Sequence, residues 1–153
     1  MNKILKISFI FIILILIPLF WYLLSPLFID NVVSEDLPIN IVSNEEENLE
    51  PIMMSTFSGA DSFHKVTGKA VILKSDNQKF LRLENFESTN GPDLYVYLSK
   101  DLDASDFVNL GKLKGNKGNQ NYEIDNSINL EEYPYVLIYC KNFRVLFGSS
   151  KLF

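Results

Sequence analysis

Hydrophobic positions follow two contrasting patterns along this chain, and the first is one long apolar run near the N-terminus. From residue 7 to residue 24 only Ser8 and Pro18 are not apolar, and the run continues more loosely to residue 29. About 20 such residues span the core of a bilayer as a helix. Lys3 and Lys6 precede the run and acidic residues follow it, which by the positive-inside tendency leaves residues 1–6 in the cytoplasm. The pattern predicts a transmembrane anchor over residues 7–29.

A cleaved signal peptide is the competing interpretation of the same run. Such a peptide needs an apolar stretch of only about 7–15 residues and a small-residue cleavage motif. This run is longer and no A-x-A pattern follows it, so we favour an uncleaved anchor. Either interpretation exports the rest of the chain. We therefore predict a single-pass protein of the cell membrane that contacts lipid through its anchor and carries an extracytoplasmic C-terminal domain.

Residues 30–51 differ sharply in composition from the run before them. They hold seven acidic residues, no Lys or Arg, and two prolines, Pro38 and Pro51. Charges of one sign repel each other and extend a chain that has too few apolar residues to fold. This segment is predicted to be a flexible linker.

The second hydrophobic pattern, beyond the linker, consists of short apolar runs separated by turn-forming residues. None keeps a helical period over 10–12 residues, so strands are the better interpretation. A parallel sheet would need crossover helices that the sequence lacks. We predict an all-β domain over residues 52–153, an antiparallel β-sandwich or small barrel. The candidate strands are residues 65–73, 80–86, 94–98, 107–113, 121–124, 135–140 and 143–147.

Charge and cysteine content narrow the possible functions. Residues 57–153 carry twelve basic and twelve acidic side chains, so the domain has no basic excess for a nucleic-acid backbone. Cys140 is the single cysteine, which rules out an intrachain disulfide and a C-x-x-C-H haem attachment site. His64 is the single histidine, whereas a blue-copper site needs two. Neither a metal site nor nucleic-acid binding is expected.

Several segments together resemble the electron-transfer DM-thirteen domain. The resemblance covers residues 57–152, in one copy. It rests on Phe57, His64-x-x-x-Gly68, Leu83-x-Asn85-Phe86, Asn90-Gly91-Pro92-Asp93-Leu94, Tyr97-Leu98, Leu110-Gly111-x-Leu113-Lys114-Gly115-Asn116-x-Gly118-x-Gln120-x-Tyr122-x-Ile124, and Tyr139-Cys140-x-x-Phe143-x-Val145-x-Phe147-Gly148.

The resemblance implies an extracellular β-sandwich-like module with an electron-transfer role and no independent catalytic activity. It implies that Cys140 is the redox thiol or the ligand of a haem-like prosthetic group, with His64 as a further candidate ligand, and that the partner is a cytochrome-type or other redox protein. The alternative is a non-catalytic binding or structural module at the cell surface, in which Cys140 is a small core residue. Strand alternation favours this alternative, because it places Cys140 on the same face as Val136 and Ile138.

Overall fold

The computed structural model describes residues 3–25, 29–38, 40–42, 45–47, 50–74 and 78–153. Residues 1–2 of the predicted N-terminus, 26–28 of the predicted anchor, and 39, 43–44 and 48–49 of the predicted linker lie outside this set. One helix is followed by twelve strands in the described part of the chain: α1 Lys3–Leu24, β1 Val32–Ser34, β2 Asn40–Val42, β3 Glu45–Glu47, β4 Glu50–Thr56, β5 Ser58–Gly59, β6 Val66–Lys74, β7 Lys79–Ser88, β8 Leu94–Ser99, β9 Phe107–Lys112, β10 Lys117–Ile124, β11 Tyr135–Cys140 and β12 Val145–Lys151.

The N-terminal helix does not support the predicted anchor. Within the described residues, no helix combines the length and the apolar character needed to cross a membrane. Helix α1 begins at Lys3, includes Lys6, and ends at Leu24 rather than at residue 29. The predictions of a single-pass anchor and of the membrane localisation derived from it are therefore wrong.

Two five-stranded sheets form the body of the protein. The first has the order β1-β10-β7-β6-β4 and the second the order β5-β12-β11-β8-β9. All neighbouring strands in these sheets are antiparallel except β1 and β10, which pair in parallel. A separate two-stranded sheet joins β2 and β3. The predicted β-rich fold is confirmed.

The core lies between the two large sheets and follows the predicted alternation. Strands β6 and β7 of the first sheet contribute Ile72 and Leu83, and strands β8 and β11 of the second contribute Leu98 and Ile138, all fully buried. Complete removal of such a side chain from water stabilises a fold by about 1.5–3 kcal/mol. Because one face of each strand packs into this core, only the opposite face can form a functional site.

The start of the predicted linker is part of the folded domain. Strand β1 pairs with β10, with Val33 opposite Gly118. Asn31 donates its backbone N–H to the side-chain oxygen of Asn116 at 2.6 Å, and Glu35 accepts two bonds from the Lys114 ammonium at 2.7 and 3.0 Å. We call residues 29–36 the strap. In the strap the acidic side chains thus find partners on the domain instead of repelling one another.

Candidate functional site

Cys140 is the last residue of β11 and its side chain points into the core. It is 1 % exposed and stands opposite Leu94 on β8 and Val145 on β12. The chain turns immediately afterwards, through exposed residues 141–144, before β12 begins. The thiol is therefore buried, but Cys140 directly precedes an exposed turn.

The surroundings of Cys140 do not fit a haem-like group. The side chain belongs to the same apolar cluster as Val136 and Ile138, which have no exposed surface. A group the size of a haem could reach the sulfur only by displacing core side chains, which individually cost about 2–5 kcal/mol when they are removed. We therefore assign no step to a prosthetic group at Cys140.

His64, the second candidate ligand, lies in the loop between β5 and β6. Its Nδ1 atom is 2.7 Å from Oδ2 of Asp61, and its ring packs on Phe147 at 4.4 Å between centroids. Asp61 also accepts the backbone N–H groups of Phe63 and His64, both at 2.7 Å. The bond from the His64 side chain, followed by these two amides, lowers the pKa of Asp61 to about 2. The interactions of the ring thus fix the shape of this loop.

No hydrogen bond or ring contact among the described residues joins His64 to Cys140. Among the described contacts the His64 ring meets Asp61 and Phe147, while Cys140 meets its neighbours inside the core. Nor does the part of the chain with assigned structure hold any group of three His, Cys, Asp or Glu side chains arranged as metal ligands.

An aromatic layer covers the outer face of the second sheet, opposite the core. Tyr97 lies at its centre, with the ring of Phe107 stacked on it at 4.2 Å and 21° and the ring of Tyr139 at 5.6 Å. Burial, and then the neighbouring tyrosines, raise the pKa of Tyr97. Sequence reasoning identified the alternation of Tyr95 and Tyr97 but did not treat these rings as a site. The signal available was a strand with apolar residues on both faces.

Comparison with known proteins places the domain in a family. The model of the family described as Electron transfer DM13 matches residues 56–152, which is more than half of the chain and includes every strand from β5 to β12. No curated protein and no solved structure matches. The chain therefore belongs to the Electron transfer DM13 family.

Proposed function

We propose that this domain is a component of an electron-transfer system and that Cys140 is its redox-active group. The match of the electron-transfer family to the whole of the region from β5 to β12 carries the proposal. Cys140 is the only side chain of the protein with a thiol. The redox partner expected from the family resemblance, a cytochrome-type or other redox protein, is part of this proposal.

Burial sets the route by which a partner could reach the thiol. Thiol–disulfide exchange requires a thiolate to attack a partner sulfur directly, with the second partner sulfur leaving as a thiolate. At 1 % exposure the sulfur of Cys140 is closed to this attack in the fully folded state. Cys140 ends β11, where it pairs with Val145 on β12 and with Leu94 on β8, so opening of both pairs at this end of the strand exposes the thiol while the rest of the sandwich stays folded. Redox reaction of Cys140 then proceeds through this local opening.

A non-catalytic binding or structural module is the second candidate, and the burial of Cys140 favours it. Free cysteine is among the most buried residue types and packs as a small hydrophobic side chain. In this case Cys140 contributes only its packing, and its loss changes stability alone.

Thiol-labelling kinetics below the unfolding transition separate the two candidates. Reaction through local opening gives a labelling rate that hardly changes at low denaturant, whereas reaction through global unfolding gives a rate that rises steeply with denaturant. We expect the first behaviour. We also expect an absorbance change when the buffer is shifted from an oxidising to a reducing potential, and this change should be absent from Cys140→Ala. Labelling that follows global unfolding alone, with no change of signal in that variant, would establish the second candidate.

Ile138→Val is the matched control for Cys140→Ala. It trims a core side chain on the same strand and leaves the thiol in place. Both substitutions should destabilise the domain by about 1 kcal/mol. Only Cys140→Ala should remove the redox signal.

A further inference from the structure

A groove opens on the aromatic layer, on the side of the second sheet that faces away from the core. It has a volume of about 480 Å³. Tyr97, Phe107 and Tyr139 form its floor, the loop between β8 and β9 contributes Asp103 and Ala104, and the turn between β11 and β12 contributes Lys141 and Arg144. Pockets of about 300–1,000 Å³ with an apolar lining and a few polar groups are typical of small-molecule sites. We call this the tyrosine groove.

The floor of the tyrosine groove suits a flat conjugated ring. Phe107 stacks on Tyr97 with one face and remains 41 % exposed. Tyr139 stands on the other side of Tyr97, tilted by 33° from its plane. Aromatic groups prefer offset-stacked arrangements on rings of this kind, and such pairs contribute beyond their buried area. The open face of Phe107 is therefore a platform for a planar ligand.

The wall formed by the β11–β12 turn supplies positive charge. Lys141 and Arg144 are both exposed, and neither forms an ion pair within the described residues. Lys141 instead lies over the Tyr95 ring, with Nζ 5.1 Å from its centroid. Two unpaired cations at one end of an aromatic floor are complementary to an acidic substituent on the ring.

Arg144 occupies a position where an arginine is unfavourable for the backbone. Its φ is +55°, and Ala104, in the other wall of the same groove, has a φ of +53°. Glycine adopts this conformation without a steric penalty, whereas a residue with a Cβ atom is disfavoured by about 1 kcal/mol. Non-glycine residues in this conformation cluster at functional sites. The arginine side chain is thus present at a cost in stability, at the edge of the groove.

We propose that the tyrosine groove binds a planar conjugated ring system that carries a phosphate or carboxylate group, of the class represented by flavin mononucleotide. The ring stacks on the open face of Phe107, and Lys141 and Arg144 hold the acidic group. This site goes beyond the redox role of Cys140, because ligand binding here needs no thiol.

Three probes added to the full chain test the two halves of the proposal separately. Flavin mononucleotide has both the ring and the phosphate, riboflavin has the ring alone, and inorganic phosphate has the acid alone. Stacking on tyrosine and phenylalanine should quench flavin fluorescence. We expect flavin mononucleotide to bind at least about fivefold more tightly than riboflavin, because the paired charges are partly exposed to solvent and so contribute about 1 kcal/mol. Inorganic phosphate should not displace flavin mononucleotide when it is added at the concentration at which flavin mononucleotide itself saturates the groove.

Arg144→Gly separates a binding role from a structural one. Glycine relieves the left-handed backbone, so the variant should unfold at the same urea concentration as the wild type or at a higher one. It should nevertheless lose most of the preference for flavin mononucleotide over riboflavin, and Phe107→Leu should weaken both flavins. Lys151→Ala is the control, since Lys151 lies over Tyr135, a ring outside the groove lining.

Each of these measurements either supports or overturns the proposal. Absence of flavin binding, equal affinity for the two flavins, or an Arg144→Gly variant with unchanged preference each overturns the proposal. Cys140→Ala should keep its flavin affinity, so failure of the redox proposal and failure of this one are distinguishable.

Discussion

Substitution of Gly118 by alanine tests whether the strap is an integral part of the domain. Gly118 has a φ of +101°, and a Cβ atom added there would overlap the carbonyl oxygen of Val33 on the paired strand β1. Backbone atoms of β1 would have to move away. Gly118→Ala therefore combines two effects, an unfavourable left-handed backbone and displacement of the strap.

Gly111→Ala isolates the first effect. Gly111 also has a positive φ, +127°, but no atom lies within 4 Å of an added Cβ. Its substitution should cost about 1–2 kcal/mol from the backbone alone. The difference between the two variants then measures the contribution of the strap.

The structure sets the size of that difference. The Arg82 guanidinium donates to the carbonyl oxygens of Glu35 and Asp36, and the Asn121 backbone N–H donates to the Glu35 carboxylate at 2.7 Å. Each such bond is worth about 0.5–1.5 kcal/mol net. Because the entropy cost of ordering the strap offsets part of this gain, we expect the strap to contribute about 1–3 kcal/mol.

Urea unfolding and hydrogen exchange provide the measurements. We expect Gly118→Ala to lower the free energy of unfolding by about 1–3 kcal/mol more than Gly111→Ala does, and to remove exchange protection from residues 29–36. Equal destabilisation by the two substitutions, with the strap still protected in Gly118→Ala, would refute the inference that the strap is docked through β1.

Three further predictions concern charge and buried polar groups. Hydrogen bonds from Lys117 and then Asn116 lower the pKa of Asp30. At Glu35 partial burial acts to raise the pKa, but the Lys114 ammonium and the Asn121 amide outweigh it and the pKa is lowered. Both carboxylates therefore stabilise the strap above pH 4 and lose this effect as the pH falls through their lowered values, so exchange protection of residues 29–36 should decrease below about pH 4. Gln120→Leu should destabilise the protein by about 3 kcal/mol or more in urea unfolding. The reason is that the Gln120 side chain is 0 % exposed and bonds to both the N–H and the C=O of buried Gly115. A cost below about 1 kcal/mol would contradict this role. Asp61→Asn should loosen residues 60–65 in hydrogen exchange while leaving the core protected, because the bonds that Asp61 forms with described residues all lie within its own loop. Loss of core protection would contradict this.

Short-range patterns in the sequence predicted the strands well. Candidate strands 94–98 and 135–140 coincide almost completely with β8 and β11, because alternating side chains and nearby turn residues are local signals. The same alternation placed Cys140 on the core face. Candidate strand 143–147 began too early, since Arg144 takes a left-handed conformation that ends the turn before β12.

Long-range pairing could not be predicted from the same patterns. The acidic residues Asp30 and Glu35 have partners more than 75 residues away in the chain, Lys117 and Lys114. A run of like charges predicts repulsion only if its partners are absent, and composition does not reveal where the chain returns. Strand β4 was missed for a related reason, because Glu50 and Pro51 begin it and belong by composition to the linker.

The tyrosine groove, our proposed ligand site, shows why such a surface is harder to predict than the strands that form it. Its floor requires β9, β8 and β11 to be neighbours in that order, which brings Phe107 and Tyr139 to the two sides of Tyr97. One face of each of these strands packs into the core, so only the opposite face can bind a ligand. The aromatic residues on that face are visible in the sequence, but their convergence with Arg144 depends on a turn that ends in a backbone conformation unusual for arginine. The observation that motivates our proposal, a side chain where glycine would be more stable, is therefore revealed only by the backbone geometry.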